Sequence, residues 1–341
     1  MRVGVRMALL VGGLSVGVMS LAAWRVPAAL PDGGPTPRHD PPAAAALRFV
    51  DASQLMHEVA ILASPQMEGR ATGTPGGLRA RRWITDRFAE IGLAPLDAAG
   101  HVRPFVVQQR EVRAILPGGR PFRRAVEGAN VVGRVAGREP GAAAIVVTAH
   151  YDHLGVRDGR VYPGADDNAS GVAVLLAAAR HFVARPPRRT LIVAALDAEE
   201  LGLHGARALL RSPGMARDAI ALNINLDMLS RSAAREIYAA GAYHTPWLAP
   251  ILGELQPRGA VTLLLGHDRP PRLGGGLEDW THESDHAPFH DAHVPFVYFG
   301  VEDHPDYHRP TDTAGRIDPA FFGAVADMVI DAIQAFDARL Q

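Results

Sequence analysis

Nearly unbroken apolar runs recur along this chain and stop abruptly at acids or histidine. They cover residues 144–149, 190–196, 220–226, 237–240 and 294–299. Short runs without polar alternation suit strands buried on both faces. Between them the apolar period lengthens towards that of a helix. Residues 54–63, 76–91, 171–184 and 319–340 read as helices, the second with Leu78, Trp83, Ile84, Phe88 and Ile91 as its apolar positions. Strands alternating with helices predict an α/β fold, a mixed, mostly parallel central sheet sandwiched between α-helices. Residues 96–141 read as short strands and turns. Residues 258–281, rich in Gly and Pro with little periodicity, read as a surface insertion.

The start of the chain has a different pattern. Arg2 and Arg6 precede an uncharged run from Met7 to Trp24, and small residues at 20–22 and 26–28 offer cleavage points. Residues 1–28 therefore read as an export signal, or as a membrane anchor if uncleaved, because the run just reaches the length that spans a bilayer. Gly13 to Gly17 matches a nucleophile-elbow pattern, but it lies inside this apolar run rather than on a strand–turn–helix, and is rejected. Residues 29–51, with much Pro, Ala and Gly, read as a flexible linker, and 52–341 as one domain. The expected location is periplasmic or secreted.

Composition narrows the chemistry. The formal net charge of −1 gives no drive towards nucleic acid or anionic lipid. With no cysteine, thiolate metal sites, disulfides and cysteine nucleophiles are excluded. All 35 basic residues are arginine, so a P-loop lysine, a Schiff base and a serine–lysine dyad are excluded too. Fifteen histidines and 36 carboxylates leave oxygen/nitrogen metal sites and general acid–base chemistry.

Those residue types cluster where the apolar runs stop. The first run ends in His150-Tyr151-Asp152, the second in Asp197-Ala198-Glu199-Glu200, the third in Asp227, and the last leads to a loop carrying His308. In an open α/β sheet, sites form beyond the carboxyl ends of the strands. Distant stretches of sequence thus point at one crevice. Asp152, two positions after His150, is placed to take the second imidazole N–H of a metal-bound histidine. Asp166 and Asp167 open the 171–184 helix and exceed what capping needs. Glu199 and Glu200 would repel each other without a cation nearby; one can bind metal while the other remains a base. Two histidines, three carboxylates and a spare glutamate suit two divalent ions sharing one carboxylate. Ligation by nitrogen and oxygen alone fits Zn2+, with Mn2+ or Co2+ as alternatives.

These stretches resemble the co-catalytic di-zinc aminopeptidases, the twenty-eighth metallopeptidase family, which includes secreted bacterial leucine-type enzymes. The resemblance rests on His150 to Gly155, Gly164 to Gly171, Glu199-Glu200-Leu201-Gly202, Asn225 to Met228, Ser284 to Phe289 and Tyr307 to Thr313, with Glu68 to Thr74 upstream. It implies an eight-stranded mixed sheet, two zinc ions and a peptide substrate with a free N-terminus. It implies His150 and Asp227 on one zinc, Glu200 and His308 on the other, Asp167 bridging, and Asp152 orienting His150. It further implies Glu199 as general base and Tyr307 as an oxyanion donor. Arg309 stands where a threonine is usual. The stretch from Leu93 to His150 is too short for the protease-associated insert of some relatives, which is expected to be absent.

His153, His204, His286, His290, His293 and His304 read as loop or packing residues, and Asp285-His286 as support for the pocket. Met228, Trp280, Phe289 and Phe299 read as core or pocket wall. Three other functions fit the motifs less closely. A glutaminyl-cyclase-like acyl transferase would need one zinc. A carboxypeptidase or dipeptidase would need a basic pocket, for which Arg157, Arg231 and Arg309 are the candidates. A non-catalytic binding module would be expected to have lost ligands that this chain retains.

Overall fold

The computed structural model describes residues 47–111, 122–255, 261–270 and 277–340. The export-signal segment and most of the linker lie outside the described residues. The Asp51 carboxylate accepts from the Ser53 and Gln54 amides and starts α1 (Ala52–Leu62). The turn-rich stretch Pro65–Arg70 leads to α2 (Pro75–Ile91). Thr74 caps α2, Pro75 fits its first turn, and Gly92 ends it in the left-handed region. Next come strands β1 (Val102–Glu111), β2 (Phe122–Val135) and β3 (Ala144–His150), then the small hairpin of β4 (Gly155–Arg157) and β5 (Arg160–Tyr162). An irregular turn, Ala165–Ser170, enters α3 (Gly171–Ala184). After it run β6 (Leu191–Leu196), α4 (His204–Leu210), β7 (Ile220–Leu226), β8 (Glu236–Ala240), α5 (Leu248–Gly253), β9 (Thr262–Leu265), α6 (Ala287–Asp291), β10 (Phe296–Gly300) and α7 (Pro319–Arg339).

Eight strands form one sheet in the order β1-β2-β6-β3-β7-β10-β8-β9. The pairs β6–β3, β3–β7, β7–β10 and β8–β9 are parallel, whereas β1–β2, β2–β6 and β10–β8 are antiparallel. The sheet is therefore mixed and mostly parallel. Its central strands alternate between two helical layers. Ile145 and Val147 of β3 pack in the large core with residues of α1, α2, α3, α5 and α7. Ala144 and Val146 pack in a smaller core with Ala206 and Leu209 of α4 and Phe289 of α6. Burial on both faces explains why β3 and β6 read as continuous apolar runs.

Two expectations change at the sheet edges. Residues 96–141 hold two strands of 10 and 14 residues, not short ones. The outermost, β1, offers little to bury: Val107 is 1% exposed but Val106 is 57% exposed, so only the short run Phe105–Val107 marks it. The expected surface insertion at 258–281 contributes β9, the opposite edge, paired parallel to β8. No side chain of β9 is fully buried.

Candidate metal centre

The sheet order brings the chemical residues together. Strands β6, β3, β7 and β10 are consecutive neighbours. His150 ends β3, Asp197 to Glu200 follow β6, Asp227 follows β7, and the loop with His308 follows β10. All four strands point the same way, so these ends share one edge of the sheet. Ala198, Met228 and His308 take left-handed backbone at φ +59°, +59° and +53°, so strain gathers at the turns that aim these loops.

Two donor sets meet there, sharing Asp167. In the first, His150 Nε2 lies 3.3 Å from Asp167 Oδ1 and 3.2 Å from Asp227 Oδ1. In the second, His308 Nε2 lies 3.0 Å from Asp167 Oδ2 and 3.6 Å from Glu200 Oε1. The two oxygens of Asp167 thus face different sets. His153, read from sequence as a packing residue, belongs to the second set: its Nδ1 lies 3.5 Å from Asp167 Oδ2 and 2.8 Å from Glu200 Oε1. Its spacing, three after His150, was the available signal, but the loop's return past the site is not visible in sequence.

The loop carrying Asp167 is tightly held. The Asp166 and Asp167 amides donate to the Asp312 carboxylate. Asn168 donates to the Leu226 carbonyl and accepts from the Gly171 amide. Asp166 turns the other way, accepting from the Ser230 amide and hydroxyl and from Ser170. This division leaves Asp167 for His150, His153 and His308, while Asp166 Oδ2 faces His304 Nε2 at 3.2 Å. Arg70, fully buried, donates to the carbonyls of Leu62, Tyr151, Pro163 and Gly164, bracing both ligand loops.

Asp152 differs from its expected contact. The His150 Nδ1 atom is 3.1 Å from the Asp152 main-chain carbonyl and 3.8 Å from its carboxylate. The carboxylate instead accepts from the Glu199 and Glu200 amides and from Thr72. It therefore ties the two glutamates to the strand that carries His150. Asp227 is anchored by a buried chain of donors. Asn223 donates to Thr148, Thr148 to Asn225, Asn225 to Ser284, and Ser284 to Asp227 Oδ2 at 2.7 Å.

The electrostatics call for positive charge. Burial pushes the Asp167 carboxyl up, but His153, His150 and His308 outweigh it and hold it well below its ordinary range. Burial likewise pulls His150 down, yet Asp227, Glu199 and Asp167 drive it well above the usual imidazole value. Protons are drawn to the places where cations would sit. Glu200 Oε1 and His153 Nδ1, both buried, make no hydrogen bond although they face each other. Such orphaned lone pairs, with no thiolate in the set, fit divalent cations of the zinc type.

Glu199 belongs to neither donor set. It lines a cleft of about 500 Å3 together with His150, Asp167, Asp227 and His308. Burial pushes its carboxyl well above the ordinary range; His150 pulls it back, while Asp285, Asp227 and Asp152 add to the rise. Tyr307 lines the same cleft and stacks on the His308 ring at 3.9 Å. Trp280 and Met228 form part of its wall, whereas Phe289 packs in the smaller core. Asp285 is fully buried beside the site.

A mostly parallel α/β sheet whose strand ends carry two His/carboxylate sets joined by one aspartate defines a class of metal-centred α/β folds. Residues 130–333 match the family described as peptidase family M28, and the chain belongs to that family. It is 30% identical over 203 residues to aminopeptidase YwaD of Bacillus subtilis, covering 55% of this chain and 40% of that protein. The chain thus spans less than half the length of that curated relative. Among solved structures it resembles BSAP, a zinc aminopeptidase from Bacillus subtilis, with 18% identity, TM-score 0.64 and coverage of 86% of this chain and 96% of that one. It also resembles the glutaminyl cyclase of Bacteroides thetaiotaomicron, with 16% identity, TM-score 0.61 and coverage of 85% and 99%.

Proposed function

We propose that the chain is an exported, zinc-dependent aminopeptidase that releases N-terminal residues from peptides. The observation that carries the reading is Glu199 beside, but outside, two donor sets joined by Asp167. His150, Asp167 and Asp227 would hold one ion, and Asp167, Glu200 and His308 the other. Bound there, two divalent ions would lower the pKa of a water between them and polarise the scissile carbonyl.

The protein's own groups do the rest. Glu199, desolvated and therefore a stronger base than a free carboxylate, takes a proton from the attacking water at its carboxylate and passes it to the leaving amine. Asp152 fixes Glu199 through the main-chain amide. Tyr307, which lines the cleft and stacks on His308, would donate its hydroxyl to the developing oxyanion. Glu278, Glu283 and Asp303 line the cleft, and among the described residues no arginine does. That charge suits a substrate ammonium group and disfavours the carboxylate a carboxypeptidase must hold. Arg231 pairs with Asp306 at 2.7 Å, Arg157 lines a different cleft, and Arg309 is exposed. Export is supported by Arg2 and Arg6 ahead of the uncharged run to Trp24.

The test joins metal analysis to a substrate panel. Two zinc ions per chain, with cleavage of aminoacyl amides and not of amino-blocked peptides, is the expected result. One zinc, with cyclisation of glutaminyl peptides, would favour the cyclase reading. Equal rates on blocked peptides would overturn the aminopeptidase. Glu199→Ala is expected to lose most turnover, by about 10²-fold or more, while retaining metal; unchanged turnover removes Glu199 as the base.

A further inference from the structure

We propose that His153 is a fourth protein ligand in the second donor set, so that the two ions sit in unequal shells. The inference rests on the metal-centre reading above and goes beyond its ligand list. His153 is 1% exposed, and both its ring nitrogens lack hydrogen-bond partners. Its Nδ1 faces Asp167 Oδ2 at 3.5 Å and Glu200 Oε1 at 2.8 Å, and His308 Nε2 faces the same two oxygens at 3.0 and 3.6 Å. A tetrahedral zinc with bonds near 2.0–2.1 Å separates its ligand atoms by about 3.3 Å. The four distances bracket that edge. Two nitrogens and two oxygens, all within 4.8 Å of one another, therefore offer one ion a set of four donors.

The backbone makes room for this ring. Gly164 sits at φ +56°, and a Cβ there would lie 2.6 Å from both Cγ and Cδ2 of His153. Any other residue at 164 would clash with the Asp167 carbonyl oxygen, at 2.1 Å, as well as with this ring. The ring is thus held against the very loop that carries Asp167. A role in simple packing leaves this unexplained, because burying two unpartnered ring nitrogens carries a desolvation cost.

The consequence is asymmetry. The first set offers three protein ligands, His150, Asp167 and Asp227, and keeps a coordination position open. The second offers four, so a water shared with the first ion would be its fifth ligand. The second ion should be the more tightly held.

Zinc content and zinc-edge X-ray absorption would be measured on wild type, His153→Ala and His153→Gln. The wild type is expected to show three imidazoles per two zincs, and to release its zincs to a chelator in two separate steps. In both variants one imidazole is lost from the shell, and the tight step weakens by on the order of 10²-fold. Two imidazoles per two zincs in the wild type, which needs no variant to fold, overturns the proposal. So does an unchanged shell in folded variants, which would make His153 a positioning residue for Glu200. A wild type with a single zinc that loses an imidazole on His153→Ala keeps His153 as a ligand and overturns the two-ion reading instead. Wild type without zinc overturns both.

Discussion

Replacing Arg70 with methionine removes a buried cation that donates to four main-chain carbonyls. Those bonds span 2.6–2.8 Å and reach Leu62, Tyr151, Pro163 and Gly164. Leaving a buried acceptor unsatisfied costs about 1–3 kcal/mol, so four lost bonds put about 8 kcal/mol at stake. Part of this is offset. Burial lowers the Arg70 pKa from 12.5 to about 10, even with Asp167, Asp312, Asp152 and Glu200 pulling it up. That depression corresponds to about 3 kcal/mol held against the charged form, which the methionine no longer bears. The net expectation is a loss of about 5 kcal/mol. At about 2 °C per kcal/mol for a domain of this size, the melting temperature should fall by about 10 °C. Thermal unfolding followed by circular dichroism reads this directly, with exposed Arg82→Met as a control expected to shift stability by no more than about 0.5 kcal/mol. Zinc affinity should fall as well, because three of the four carbonyls, those of Tyr151, Pro163 and Gly164, flank the ligand loops. A melting temperature for Arg70→Met within about 2 °C of wild type would refute this account.

Asp285 gives a pH dependence. Burial raises its pKa to about 7, with His150 pulling it down and Asp227 adding to the rise. Because the folded value exceeds the unfolded one, this acid costs nothing at low pH and costs progressively more between about pH 4 and 7, reaching about 4 kcal/mol and then staying level. Metal-free wild type should lose stability across that window in urea titrations, and Asp285→Asn should lose clearly less; equal slopes would dismiss Asp285 as the source. Glu58, 3% exposed on α1, receives both arms of Arg180 from α3 at 2.8 and 2.9 Å. Arg180→Met should cost about 3 kcal/mol by stranding a buried carboxylate, and adding Glu58→Leu should restore most of it. A double variant no better than the single would show that the pair matters through packing alone.

Much of this arrangement was legible because the central strands are buried on both faces. The run at 220–226 coincides with β7, and 144–149 falls one residue short of β3, whose last residue is His150 itself. The convergence of His150, Glu200, Asp227 and His308 follows from strand ends in a parallel sheet. Burial is also why the edges were obscure. β1 holds only the short run Phe105–Val107, and β9, with Leu263–Leu265, is too short and too exposed to read as a buried strand. The choice between Asp166 and Asp167 is made by Ser230 and Asp312, 64 and 146 residues after Asp166, and no local rule could supply it. His153 was missed for the opposite reason. Its neighbours Asp152 and Leu154 give a plausible loop, and only the folded path of Gly164 beside it shows where its nitrogens aim.

The ladder of side chains beneath Asp227 has a further effect. Asn223, Thr148, Asn225 and Ser284 all hand their hydrogens upward, so each dipole reinforces the next. The uppermost bond occupies one oxygen of Asp227 and leaves the other facing His150. A carboxylate tethered in that fashion would have one oxygen left to offer an ion. The way Asp227 is presented at the strand end is thus set by residues buried in the sheet, well below the cleft that a substrate would see.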